Sequence, residues 1–309
     1  MPYRTPIGPV YDCGDFARLF EKALQVSDFK GFFERRAGST KDGMLRGFGA
    51  CYFVESSGVA PSRMAGMLGA RAGMFESAQI RIAADASLQL ACGTHSHGQG
   101  HETTFAQLVS DRLGVDINNV AIVHGDTDKV QFGMGTYGSR SGAVGMTAIS
   151  KALDKVEAKA KRIAAAVMES SVDDIEFKNG TFTVKGTDKK MAFGEVALSA
   201  YVAHKFNSAE IEPGLKESAF HDPSNFVFPA GVHIAEIEID GETGVTTVAN
   251  YTAVDDFGNV INPMIVEGQV HGGITQGIGQ ALIEGCVYDK ESGQLVTGSY
   301  MDYQMPRAA

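Results

Sequence analysis

Three histidines and three glycines stand within the eleven residues GTHSHGQGHET, from Gly93 to Thr103. Two chemistries fit them. On an extended backbone His95 and His97 point to one face, and an HxH pair at a strand end offers two imidazole ligands to a metal ion. Such a centre needs further ligands, and His124, followed by Gly125-Asp126, is the near candidate along the chain. The other chemistry belongs to Gly98 and Gly100. Glycines let backbone N–H groups approach a bulky anion, and the start of the helix that follows adds positive potential. Between them Gln99 carries an amide that both donates and accepts.

The second theme recurs. Residues 132–148, FGMGTYGSRSGAVGMTA, hold five glycines ahead of a helix. Here Gly138 precedes Ser139, Arg140 and Ser141, whose hydroxyls and guanidinium suit a phosphate. Residues 262–281, NPMIVEGQVHGGITQGIGQA, read as a helix carrying Gln269, Gln276, Gly272, Gly273 and Gly277. A glycine costs a helix roughly 1 kcal/mol relative to alanine, so several in one helix imply close approach of a backbone or a ligand. Each segment alone has a plainer reading, a strand–turn–helix junction or tightly packed helices. Together they favour an extended, phosphate-bearing cofactor over a bare ion.

The elements that must position these segments are mixed. Helical spacing predicts helices over 14–38, 103–113, 141–169 and 193–203, and a buried, glycine-containing helix over 266–285. Strands are expected at 46–56 (buried), 120–126, 231–240 and 244–256. Two alternating stretches within 78–93 read as a hairpin or a bent strand. Residues 175–184 form another hairpin, with Asn179-Gly180 as a type I′ turn. A polar stretch with two prolines, 205–226, divides the chain into possible sub-domains 1–204 and 227–309. The expected class is α+β, a mixed α/β fold without regular βαβ alternation.

Composition narrows the function classes. The 309 residues are 44% hydrophobic and 21% charged, which supports a real core. A net charge of −10 argues against a nucleic-acid groove. The N-terminus lacks the pattern of a secretory signal, and no apolar run approaches the ~20 residues of a membrane span. Cys13, Cys51, Cys92 and Cys286 form no CxxC pair. They are expected to be reduced and mostly buried in a cytoplasmic protein.

The segments GTHSHGQGHETTFAQLVSDRLGV, VHGDTDKVQFGMGTYGSRSGAVGMTAI, AVDDFGNVINPMIVEGQVHGGITQGIGQALIEG and GSYMDYQMPRA resemble the molybdenum-binding large subunit of the xanthine dehydrogenase, aldehyde oxidase and aerobic carbon monoxide dehydrogenase family. The resemblance runs over essentially the whole chain and is nearest to the bacterial form, in which that subunit is a separate chain. It implies a molybdopterin-binding domain with a molybdenum–pyranopterin cofactor, usually the cytosine dinucleotide. It implies hydroxylation with oxygen taken from water, and electrons leaving through iron–sulfur clusters to FAD on partner subunits. Carried over by motif, Gly98, Gln99 and Gly100 lie beside the molybdenum and the pterin. Gly138, Ser139, Arg140 and Ser141 form the loop on the pterin and pyrophosphate, and Gln269 contacts the pterin. The histidines are then not metal ligands.

One departure matters. The family's catalytic glutamate lies in a GVGE-type segment beyond the equivalent of MDYQMPRA, so it is expected beyond Ala309, and no catalytic residue is assigned here. The family's N-terminal half, with the loop that discriminates substrates, is not in this sequence either. The chain reads as the second cofactor-binding domain of a large subunit, inactive alone and needing the remainder of that subunit, an iron–sulfur subunit and an FAD subunit. The alternatives are a metal-dependent hydrolase using His95 and His97, and a non-catalytic assembly subunit that keeps the fold.

Overall fold

The computed structural model describes residues 2–58 and 61–307. In chain order the elements begin with β1 (Tyr3–Arg4), β2 (Val10–Tyr11), α1 (Phe16–Val26), α2 (Phe32–Lys41), β3 (Met44–Val54) and α3 (Ser62–Met67). Next come β4 (Glu76–Ile82), β5 (Leu88–Cys92), α4 (His101–Leu113), β6 (Val120–Val123) and α5 (Thr147–Met168). The remainder is β7 (Ile175–Lys178), β8 (Thr181–Val184), β9 (Lys190–Ala192), α6 (Phe193–Tyr201), β10 (Leu215–His221), β11 (Ala230–Asp240), β12 (Thr246–Asp256) and α7 (Pro263–Leu282). Among the described residues no helix is long and apolar enough to cross a membrane.

The chain divides into two compact units, and the division differs from a cut at 205–226. The first unit takes the chain up to Gly14 and again from Glu55 to Pro229. The second takes Asp15–Val54 and everything from Ala230 on. The stretch expected as a crossing contains β10, which pairs antiparallel with all of β4, from Leu215↔Ile82 to His221↔Glu76. Leu215 and Ala219 are buried in the first unit's core. Between them Glu217 shares their face and reaches Lys159 of α5, so the strand lacks a clean apolar alternation.

In the first unit the sheet runs β10-β4-β5-β6. Ile80, Ile82, Leu88 and Leu90 alternate onto the face covered by α5, whose Ile149, Leu153, Val156 and Ile163 are fully buried with them. Strands β5 and β6 are parallel and joined through α4, which is the crossover that parallel pairing requires. This β5–α4 junction is the opening stretch of histidines and glycines. The small sheet β7-β8-β9 carries the expected hairpin, with Asn179 and Gly180 both left-handed (φ 49° and 73°), as a type I′ turn demands.

In the second unit α1 and α2 are expected as one helix and are two. The helix stops because Asp28 turns left-handed (φ 47°), a conformation held by Arg35 at 2.7 Å. A Cβ on Gly31 would collide with the Asp28 carboxylate. The sheet β12-β11-β3 has a small core of Ala23, Val232 and Ile234, with Leu19, Leu24, Phe48 and Val254 packed against it. Glu236 is buried between Arg35 and Arg46.

Three expectations of burial are corrected. Strand β3 is mostly exposed, as is α7, in which Gly279 is the buried residue. Of the cysteines Cys92 is buried, whereas Cys13, Cys51 and Cys286 are exposed. Apolar composition states what a segment favours burying; what covers it depends on other chain.

Gly114 closes α4 in a left-handed turn (φ 64°), and a Cβ there would run into Gly180 and come within 2.7 Å of the Asn179 carbonyl carbon. Gly186 is also left-handed (φ 74°) but faces open space. Gly114→Ala is therefore expected to destabilise the chain by about 2–4 kcal/mol, and Gly186→Ala by only about 1 kcal/mol, in urea unfolding. Equal losses would mean that backbone strain alone, and no steric contact with the hairpin, sets the requirement.

Candidate functional site

Strand β5 ends at Cys92, and the chain turns into α4 through Gly98 (φ 93°) and Gly100 (φ 78°, ψ 28°). Left-handed Gly100 followed by right-handed His101 makes a concave run of N–H groups, the geometry of an anion-binding nest. No side chain caps this helix start. A Cβ on Gly98 would meet nothing within 4 Å, so its backbone faces open space. Gln99 Oε1 accepts the His97 N–H, which orients the amide and leaves its Nε2 as the donor. Glu102 is held below the usual carboxylate range first by its own backbone N–H, and further by His124 Nε2 at 2.9 Å.

The histidines do not form a ligand set. The His95 ring lies 5.0 Å from that of His97 and 5.1 Å from that of His124. Among the described residues no three His, Cys, Asp or Glu groups stand where they would hold one metal ion. His95 lies over Gly125, where a Cβ would come within 2.7 Å of its Nε2. His101 is buried, stacks on Phe105 at 4.9 Å, and has its pKa pushed down by that burial.

The second glycine segment is tied to this junction. At Gly93 and Gly133 two backbones cross with no space for side chains: a Cβ on Gly133 would lie 2.5 Å from the Gly93 Cα. The Gly135 N–H donates to the Gly93 carbonyl at 3.2 Å. Thr136 Oγ1 accepts the His95 N–H at 3.0 Å and lies 3.0 Å from Ser141 Oγ. Gly138 (φ 55°) and Ser139 (φ 53°) are both left-handed, and Arg140 (φ −90°, ψ −17°) turns right-handed into a π-helical turn, Ser141–Met146, that leads into α5. This helix start also lacks a side-chain cap. Ser139 Oγ donates to the Glu55 carboxylate, and the Gly58 N–H to the Gly138 carbonyl at 3.0 Å. Beside the crossing, a cleft of about 400 Å³ is lined by His95, Gly125, Asp126, Thr127, Gln131 and Phe132.

Arg140 departs from its sequence reading. Its guanidinium is fully buried, ion-paired with the equally buried Glu76, and donates to the carbonyls of Gly135 (2.9 Å), Met74 (3.0 Å) and Phe75 (3.2 Å). It has no free face for a phosphate and shapes the loop from behind. The sequence reading passed over Glu76, Thr136 and Glu55. Only Glu76 left a trace, as a charged residue at the head of a strand that alternates apolar Ala78, Ile80 and Ile82 with polar residues. The structure brings Gly98–Gly100 and Gly138–Ser141 onto one pair of stitched loops in the first unit. Gln269 is exposed on α7 of the second unit.

Residues 22–309 match the family model described as the molybdopterin cofactor-binding domain. The chain belongs to that family. This molybdopterin cofactor-binding domain is 39% identical to the carbon monoxide dehydrogenase large chain of Hydrogenophaga pseudoflava, over all of this chain and 38% of that protein. It is 34% identical to the nicotine 6-hydroxylase large subunit of Paenarthrobacter nicotinovorans, over 99% of this chain and 37% of that protein. Among solved structures it matches the CO dehydrogenase of Oligotropha carboxidovorans with a TM-score of 0.89 at 37% identity, over all of this chain and 38% of that one. Quinoline 2-oxidoreductase of Pseudomonas putida 86 matches with a TM-score of 0.91 at 36% identity, over all of this chain and 39% of that one. The domain thus spans well under half the length of these relatives, and its mixed α/β fold is theirs.

Buried His101, whose pKa is pushed down by burial, is expected to make the domain acid-sensitive. The unfolded chain takes up a proton near the ordinary imidazole pKa, whereas the folded His101 does so only at lower pH. Its contribution is therefore intact above that ordinary value and lost as pH falls below it. His101→Phe is expected to give a shallower loss of urea-unfolding stability between about pH 8 and about pH 5. An acid limb as steep as that of the wild type would show that His101 is not the group responsible.

Proposed function

We propose that this chain is the cofactor-binding portion of the large subunit of a molybdenum hydroxylase, and that the cofactor is the molybdenum–pyranopterin cytosine dinucleotide. The observation that carries the reading is the pair of left-handed-to-right-handed turns, at Gly100 and Ser139, each opening uncapped onto a helix start. Both sit on loops stitched together through Gly93, Thr136 and Gly135. That donor set fits a large anion: backbone N–H groups at two helix starts, a hydroxyl and an amide.

When bound, the molybdenum centre supplies two-electron oxidation of a C–H or CO substrate with water-derived oxygen. The protein's share is binding and orientation. Gln99 Nε2 would donate to the cofactor, and the backbones of Gly98 and Gly100 would admit the pterin. The N–H groups of Gly138, Ser139 and Ser141 and the Ser141 hydroxyl would hold the pyrophosphate, with Arg140 acting through the loop. Gln269, exposed on α7, is assigned to the cofactor by its motif alone. The proton acceptor and the substrate-facing loop are assigned to the rest of the large subunit, since no GVGE segment occurs in these 309 residues. Relatives named for carbon monoxide and for nicotine match over the same share of their length, which supports assigning substrate choice outside this chain. Electrons pass to iron–sulfur and FAD subunits, and the assembly works in the cytoplasm.

The direct check is Gln99→Ala in the assembled enzyme. A lost hydrogen bond of about 1 kcal/mol lowers retained molybdenum severalfold, while the thermal midpoint stays at the wild-type value. Unchanged molybdenum content, measured by mass spectrometry of the metal, would remove Gln99 from the site.

A further inference from the structure

We propose that Glu76 is the positioning residue of the cofactor cradle. It touches no cofactor and acts through Arg140. The inference rests on the reading that residues 93–101 and 132–141 hold a cofactor, and adds what holds them in place.

Glu76 stands at the first position of β4 with no solvent exposure. One oxygen accepts the Arg140 guanidinium and, weakly, the Met134 N–H at 3.4 Å; the other accepts the Ser77 N–H at 3.2 Å. Arg140 spreads from there to the carbonyls of Met74 and Phe75 at the strand's head and of Gly135 in the loop. Ser77 adds a two-way clasp on Phe132, donating to its carbonyl at 2.6 Å and accepting its N–H at 3.3 Å. The two ends of the loop, Phe132 and Arg140, are thus both fastened to neighbouring residues of one strand.

The loop needs this. Gly133, Gly135 and Gly138 give it freedom, and fixing a backbone residue costs roughly 1–2 kcal/mol. With the loop held in the folded protein, that cost falls on folding and not on cofactor binding. An apolar pair of the same volume would serve stability as well as a buried ion pair does, but it has no directional grip on three carbonyls. The grip is kept although Arg140 Nε is buried with no partner, a loss that loop geometry accounts for and core stability does not. Pairing with Arg140 also keeps the Glu76 carboxylate itself from facing a bound anion as a bare charge.

The test compares molybdenum and released cytidine nucleotide per chain in the purified assembled enzyme for wild type, Glu76→Gln, Ser77→Ala and Leu153→Ala. Leu153 is a core residue of α5, fully buried and remote in sequence from both loops. Glu76→Gln is expected to lower both contents about tenfold and Ser77→Ala about threefold, tenfold being 1.4 kcal/mol in cofactor affinity. Leu153→Ala should lower the thermal midpoint and keep the full cofactor content. Wild-type content in Glu76→Gln would overturn the proposal, and so would cofactor loss that merely tracks the thermal midpoint across all the variants. If Glu76→Gln fails to accumulate folded, Ser77→Ala decides, and wild-type content there counts against the proposal. A wild-type enzyme without molybdenum would instead refute the cofactor reading on which the inference stands.

Discussion

The ion pair between Glu76 and Arg140 lies wholly out of water, and the rest of the first unit's functional surface is arranged around it. Removing either partner would leave an unpaired buried charge, which costs several kcal/mol. The pair therefore fixes where the head of β4 stands relative to the 132–141 loop. That placement forces the loop backbone against the end of β5, and only glycine fits at Gly93 and Gly133. Crossing there brings Gly135 and Thr136 into hydrogen bonds with Gly93 and His95, which aligns the two glycine segments. Each consequence follows from the one before, from a charge pair to a steric rule to a shared array of N–H donors.

Within this frame the histidines of the opening segment are supports. His101, the first residue of α4, is buried against Phe105, while His95 covers Gly125 and His124, outside the segment, takes up Glu102. Gly98 is left facing open space, and Gln99 keeps its Nε2 as a donor. A segment that reads at first as three metal ligands forms no ligand set among the described residues, and the proposed function rests on its backbone instead. Membership of the molybdopterin cofactor-binding family agrees with that division of labour.

Local features were legible in the sequence. The Asn179-Gly180 turn, the β4–β5 alternation and the long amphipathic α5 each follow from side-chain spacing within one element. What depended on distant chain was not. The break before α2 needs Arg35 to hold Asp28, and β10 needs β4 beside it to be seen as a strand. Arg140 reads as a phosphate ligand until Glu76, 64 residues earlier, is known to face it. Burial of β3 and α7 failed for the same reason, since cover for an apolar face comes from distant chain, and among the described residues both elements are mostly exposed. Of the proposed site, the glycines and amides could be found from residue type, whereas Glu76, Thr136 and Glu55 are visible only through their contacts.

The central claim, that this chain's stitched loops hold a molybdenum–pterin dinucleotide, is tested most directly by composition. Molybdenum and the nucleotide released by acid hydrolysis are measured together, per copy of this chain, in the enzyme purified in its native assembly. The account predicts one molybdenum and one cytidine nucleotide per chain, about 1:1:1. A folded, fully assembled enzyme that carries neither, or that carries stoichiometric zinc without nucleotide, would contradict it.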